Sequence, residues 1–351
     1  MLKTARLTAR LTVAAVAFAL IGAGLSNRAL AQTAAPTAAP TMAATASTTW
    51  PRTLTDETGK TITLNAKPQH IISATLATDE MLLSLVDPSR LAAITVNSSD
   101  PAESNIVPLA KTIKAQLKTP LDPEQIIALK PDLVLLASYN DAAAVKQLQS
   151  AGLNLFTFAN FSSIKDIEGN ITLLGQVVGE EDKAAALVDN MNTRLKAVSD
   201  AVKTVKPLKV LYYSPDGGYS AGPGSTTDEV LTRAGAINAV TAGGITDAYP
   251  TLSKEFVVKA DPDVILLSGA PGVVTTFSAD PAFAGLQAVK AKHVYAAADA
   301  QIGSISQYIV TGVEEVAALL YPTAYTLPAT ATPAATMAAI ISATMAATTA
   351  P

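Results

Sequence analysis

Glu124 and Glu255 stand 131 residues apart, at matching places in two similar segments of a 351-residue chain. A pair of carboxylates is the minimum equipment of a glycoside hydrolase, which in its retaining form needs them about 5–5.5 Å apart. The same pair, one on each of two similar halves, suits instead a two-fold partner touched at two equivalent points. Each alone could simply complement a helix N-terminus, worth roughly 0.3–1 kcal/mol. Other chemistry is scarce. His70 and His293 are the only imidazoles and cysteine is absent, which excludes a three-His or His/Cys transition-metal site and a cysteine nucleophile. Ser98-Ser99-Asp100 has no histidine to activate it, and no G-x-S-x-G elbow occurs. The glycine-rich run Gly217 to Thr227 lacks the lysine of a phosphate loop. A formal charge of −4 argues against a general nucleic-acid binder.

The elements that must position these residues alternate between strand and helix. Helices are expected over Thr78–Val86, Asp122–Leu129, Ala142–Ala151, Ser225–Ala234, Ser253–Ala260 and Ser304–Leu320. Strands are expected at His70–Ala74, Leu91–Val96, Asp132–Ala137, Leu153–Ala159, Leu208–Tyr213, Asp263–Ser268 and Val294–Ala297. The Asp132 run is continuously apolar after its aspartate, as a strand covered on both faces should be. The fold class is therefore α/β with parallel sheets.

The two halves repeat each other. The segment from Glu124 to Leu136 aligns without gaps on Glu255 to Leu267, sharing the Glu, the Pro-Asp pair and two leucines. Thr78-Asp-Glu-Met-Leu likewise echoes Thr227-Asp-Glu-Val-Leu, with each Thr placed to cap a helix and the acids in its first turn. Two matches in the same order indicate a duplicated lobe. Between the copies, Ala184, Val188, Met191, Leu195, Val198, Val202 and Val205 form a one-sided stripe. A helix over 180–205 would be roughly 35–40 Å long and could bridge two lobes, leaving a cleft that closes little.

The ends differ in character. Residues 1–31 carry Lys3, Arg6 and Arg10, an apolar run from Leu11 to Leu25 and Ala29-Leu30-Ala31, the pattern of a secretory signal. Its removal would take the formal charge from −4 to −8. Without cysteine the exported chain could form no disulfide and carry no diacylglyceryl-cysteine anchor. Residues 32–49 and 323–351 are Ala/Thr/Pro-rich and read as a disordered linker and a low-complexity tail. The folded body is then an N-terminal lobe at 50–179, the bridge at 180–205 and a C-terminal lobe at 206–322.

The motifs Thr55-Asp-Glu-Thr-Gly-Lys-Thr-Ile-Thr-Leu, Lys67-Pro-Gln-His-Ile-Ile-Ser, Thr78-Asp-Glu-Met-Leu, Ile127-Ala-Leu-Lys-Pro-Asp-Leu-Val, Gly217-Gly-Tyr-Ser-Ala-Gly-Pro-Gly-Ser and Ala260-Asp-Pro-Asp-Val-Ile resemble those of solute-binding proteins of bacterial ABC importers for iron-siderophore chelates, haem and cobalamin. The resemblance implies two Rossmann-like lobes joined by one long backbone helix, with the ligand cleft between them. It also implies a non-enzymatic, exported monomer without a cofactor of its own. Its partner would be a permease dimer with ATPase subunits, reached through Glu124 and Glu255. A secreted glycosidase is the distant alternative, and an adhesive surface protein is suggested only by the Ala/Thr/Pro ends.

Open α/β sheets bind ligands beyond the C-terminal ends of their strands. The corresponding loops hold Ser98, Ser99, Tyr139, Asn140, Phe161, Tyr219 and Tyr249. Tyr249-Pro250 falls where the resembled family places an aromatic-Pro pair, which makes Tyr249 the leading cleft candidate. An anionic iron(III) siderophore would call for arginines. Beyond the signal these are only Arg52, Arg90, Arg194 and Arg233, the last three in or beside helices. That weakens a catecholate and leaves hydroxamate, haem or corrinoid open. His70 and His293 flank core strands and read as structural.

Overall fold

The structure, a computed structural model, describes residues 49–269 and 271–328. The expected signal, nearly all of the linker and the tail beyond 328 lie outside the described residues. A hairpin of β1 (Arg52–Thr55) and β2 (Thr61–Leu64) precedes two separate five-stranded sheets. The first holds β3 (Ile71–Ser73), β4 (Leu91–Thr95), β5 (Gln116–Leu117), β6 (Leu133–Ala137) and β7 (Leu155–Phe158) in the order β5-β4-β3-β6-β7, all parallel. The second holds β8 (Lys209–Ser214), β10 (Ile237–Asn238), β11 (Val264–Leu267) and β12 (Val294–Ala296) in the parallel order β10-β8-β11-β12, with β9 (Tyr219–Ser220) antiparallel on β8. The first order is that of a doubly wound Rossmann-like sheet, and both orders reverse direction beside the first strand of the lobe.

Helix Glu181–Val202 carries the chain from one sheet to the other and buries Ala184, Met191, Leu195, Val198 and Val202. Its 22 residues span about 33 Å. It follows helix Ile164–Val178, which the sequence reading passed over although Ser163 caps it and Gly179, at φ 70°, closes it. The two helices approach so closely that a Cβ on Gly175 would lie 2.4 Å from that of Ala184. One apolar core runs through the whole body. It joins Leu133 and Leu135 of β6, Val264 and Leu266 of β11, both of these helices and the last helix, Ile309–Leu320. Val134 and Leu136 face a second cluster, and Ile265 and Leu267 a third, so each central strand is buried on both faces.

The repeat has a physical basis. Asp122 and Ser253, at equivalent positions, cap helices Pro123–Ala128 and Lys254–Ala260. Lys130 and Asp261, again equivalent, take left-handed backbone at φ 50° and 37° to end those turns. The aspartate of each Pro-Asp pair then ties its strand to the first strand of its own lobe. Asp132 Oδ2 accepts from Gln69 N (2.6 Å) and His70 N (3.0 Å), and Asp263 Oδ2 accepts from Lys209 N (2.7 Å).

The second echo needs one correction. The first helix of each lobe, Leu76–Leu85 and Thr226–Arg233, is capped by Thr75 and Ser225, not by Thr78 and Thr227. The acids after those threonines do keep equivalent work. Asp79 accepts from Thr95 N (3.0 Å) and Ser98 Oγ (2.6 Å) beyond β4, and Asp228 accepts from Asn238 Nδ2 (2.7 Å) in β10. Each therefore secures the second strand of its lobe. The helix expected from Ser304 begins only at Ile309 and runs to Leu320, because 304–308 form a serine-rich turn after a separate short helix, Asp299–Ile302.

Candidate functional site

The first sheet reverses between β3 and β6 and the second between β8 and β11, and segments that follow β3, β4 and β6 of the first lobe face the segment that follows β12 of the second. A cavity of about 290 Å³ lies there. Leu76, Ala77, Glu80, Ala102, Glu103 and Tyr139 line it from the first lobe, and Asp299, Ala300, Gly303, Ser304 and Ile305 from the second.

Its floor is a polar seam. Glu80, 3% exposed, accepts from Asn105 N (2.8 Å), Asn105 Nδ2 (3.0 Å) and Ser306 Oγ of the opposite lobe. Burial pushes its carboxyl up, and these hydrogen bonds pull the other way. Asn105 Nδ2 also donates to Ala300 O (2.8 Å) and Asn105 Oδ1 accepts from Gln301 Nε2 (2.6 Å). Gln307 Nε2 donates to Glu80 O and Ser84 Oγ, each at 2.9 Å. Farther back, Glu229 of the second lobe accepts from Ile164 N of the first (2.7 Å).

Tyr139 stands 55% exposed on the wall, its ring tilted against Phe161 with centroids 5.8 Å apart. On the second lobe Asp299 accepts from Tyr212 Oη (3.0 Å) and Ser268 Oγ (2.7 Å). Burial raises the Asp299 carboxyl, and burial with the Asp299 charge raises the Tyr212 phenol. Glu103 is exposed and accepts from Asn97 Nδ2 at 2.6 Å.

The residues expected at the cleft divide. Tyr139 lines the cavity and Phe161 backs it. Asn140 sits at the switch point but clamps backbone, accepting from Ala137 N (2.8 Å) and donating to Ala74 O (3.3 Å). Ser98 is buried on Asp79, and Ser99 Oγ accepts from Gln116 Nε2. Tyr219 and Tyr249, 58% and 63% exposed, lie outside the lining, with Tyr219 bridged to Thr251. Glu124 and Glu255 are both exposed at the second position of their equivalent helices, one on each lobe. Hydrogen bonds from backbone and Ser253 hold the Glu255 carboxyl below its ordinary value.

Glu80, Glu103 and Asp299 were missed. The duplicated Asp-Glu pair marks Glu80 in the sequence, but its place in a first helical turn suggests only helix-end charge, and nothing local distinguishes Asp299 in its run of alanines. Among the described residues no arginine lines the cavity. Arg52 pairs with Glu181, Arg90 with Glu180, Arg194 with Glu314 and Arg233 with Glu229. His70 and His293 are exposed just before β3 and β12, at strand ends opposite the cleft. Among the described residues no three His, Cys, Asp or Glu side chains are grouped to hold a metal, and no helix is long and apolar enough to cross a membrane.

The family profile described as periplasmic binding protein matches residues 71–300. The uncharacterized ABC transporter substrate-binding lipoprotein YvrC of Bacillus subtilis is 26% identical over 281 residues, 78% of this chain and 86% of its own. A cobalamin-binding protein of Halobacterium salinarum is 26% identical over 62% of this chain, which spans 58% of that relative's length. Among solved structures, a periplasmic heme binding protein from Pseudomonas aeruginosa superposes with a TM-score of 0.64 at 23% identity, covering 74% of this chain and 95% of that one.

Proposed function

The chain belongs to the periplasmic binding protein family, whose members are substrate-binding proteins of ABC importers rather than enzymes, and on that premise we propose that it captures an iron(III) chelate outside the cytoplasm and delivers it to a permease. The observation that carries this reading is the cavity of about 290 Å³ between two duplicated lobes, at the switch point of the first sheet and beyond β12 of the second, with an exposed aromatic on its wall. A volume of that order admits part of a chelate, with the rest held at the open mouth. Glu124 and Glu255 are the docking contacts in this proposal. They are exposed at equivalent positions of equivalent helices on the two lobes, as a pseudo-two-fold permease requires.

A second reading keeps the importer class and changes the cargo to a corrinoid, supported by the cobalamin-binding relative. Native mass spectrometry of the mature chain separates the two. A ferric siderophore chelate is expected to form a 1:1 complex under conditions where cyanocobalamin does not. A complex with cyanocobalamin alone favours the second reading, and failure of every metal chelate to bind overturns both.

A further inference from the structure

Resting on that reading, we infer that the cleft takes a chelate of zero or positive net charge whose periphery carries N–H or O–H donors, and rejects polyanionic chelates. Among the described residues, the ionisable side chains lining the cavity, apart from the Tyr139 phenol, are Glu80, Glu103 and Asp299, and none is basic. The arginines of the described body are engaged elsewhere, with Glu181, Glu180, Glu314 and Glu229. An anionic chelate entering this cavity would bring like charges together in a partly desolvated space with no cation to offset them.

The acceptors also have free capacity. Asp299 receives one hydroxyl on each oxygen, from Tyr212 and Ser268, and Glu103 receives one amide hydrogen. A carboxylate has about four lone-pair sites, so both keep sites that a ligand donor can fill. Tyr139, more than half exposed across the cavity, adds an aromatic face to which a cationic or amide-bearing ligand is attracted. Glu80 is different, because Asn105 and Ser306 already engage both of its oxygens and it holds the seam. The recognition pair is therefore Asp299 and Glu103, facing the cavity from opposite lobes. Burial disfavours the charged form of Asp299, and a bound cation would favour it.

The test is isothermal titration of the mature chain with four ferric probes: a cationic linear trihydroxamate with a free amine, a neutral cyclic trihydroxamate, a trianionic tris-catecholate, and haem. Expected is at least a hundredfold preference for the cationic or neutral trihydroxamate over the tris-catecholate and weaker binding of haem, whose two propionates make it anionic, with cationic affinity falling as salt rises. Glu103→Gln and Asp299→Asn together should weaken the cationic probe about tenfold and narrow the gap to the anionic one. Glu103 is exposed, so Glu103→Gln alone tests the same point should the Asp299 variant prove unstable. Equal or tighter binding of the tris-catecholate, or an unchanged preference in the variants, overturns the inference while chelate capture stands. Binding of none of the four overturns the capture of iron chelates and the inference with it.

Discussion

Glu80 and Glu229 are reciprocal: each leaves the first helix of its own lobe and accepts a hydrogen bond at the entry to the last helix of the other. Glu80 meets Ser306, whose carbonyl accepts from Ile309 N, and Glu229 meets Ile164 N, the first residue of helix Ile164–Val178. The duplicated Asp-Glu pair thus divides its labour identically in both copies, the aspartate fastening its own lobe and the glutamate crossing the seam.

Removing the crossing carboxylates should loosen the seam unequally. Glu80→Ala strands Asn105 N and Ser306 Oγ in a buried place, and a lost buried acceptor of this kind costs about 2–4 kcal/mol. Glu229 is more exposed and Ile164 N lies at a helix start, so Glu229→Ala should cost about 1 kcal/mol. Urea melts measure both, and hydrogen exchange should quicken at Asn105 in the first variant and at Ile164 in the second.

The docking proposal separates cargo binding from delivery. Glu124→Ala with Glu255→Ala should abolish uptake and binding to the permease while chelate affinity changes less than twofold. Each single variant should retain one of two equivalent contacts and show intermediate uptake. Normal uptake by the double variant in a reconstituted transporter would remove both glutamates from the interface.

The tyrosines can be ranked by affinity. Tyr139 lines the cavity against Phe161, so Tyr139→Ala should weaken chelate binding about tenfold, the scale of one lost aromatic contact. Tyr249, outside the lining, should lose less than threefold on the same substitution. Fluorescence or calorimetric titration of both variants checks the order.

One buried acid predicts an unusual pH response. Glu315 is 2% exposed, and neither of its oxygens has a hydrogen-bond partner among the described residues. Burial, then the charge of Glu314, raise its carboxyl from 4.5 to about 7. The folded chain therefore keeps a proton that the unfolded chain releases. Its contribution to stability is full below about 4.5 and is lost as pH rises through about 7. Glu315→Gln should stabilise the protein at pH 8 by about 3 kcal/mol, seen as a higher Tm, and much less at pH 5. Asp79, also raised to about 7 by burial, gives the same slope in both proteins and does not confound the difference.

The legible parts of the fold were those written in local chemistry. The gapless match from Glu124 to Leu136 carried its caps, its left-handed residues and its Pro-Asp clasp into the structure at the same offset. Of the stripe from Ala184 to Val205, Ala184, Met191, Leu195, Val198 and Val202 are buried on the backbone helix, and Val205 lies past its end. Two-residue strands such as β5 and β10 left no periodicity to detect, since tertiary pairing alone defines them. The site was less legible still. Tyr139 could be named because it follows a long apolar strand, but Asp299 reaches the cavity only through the packing of the second lobe against the first.

Under the docking proposal, helix Glu181–Val202 and the core it shares with both sheets would also set the kinetics of delivery. With one shared core holding both lobes, a permease docking on Glu124 and Glu255 would meet nearly the same two glutamates on an empty carrier as on a loaded one. Unloaded molecules would then compete for the transporter. At fixed chelate, uptake should pass through a maximum and decline once carrier outnumbers cargo, so the ratio of protein to chelate, rather than affinity alone, governs flux.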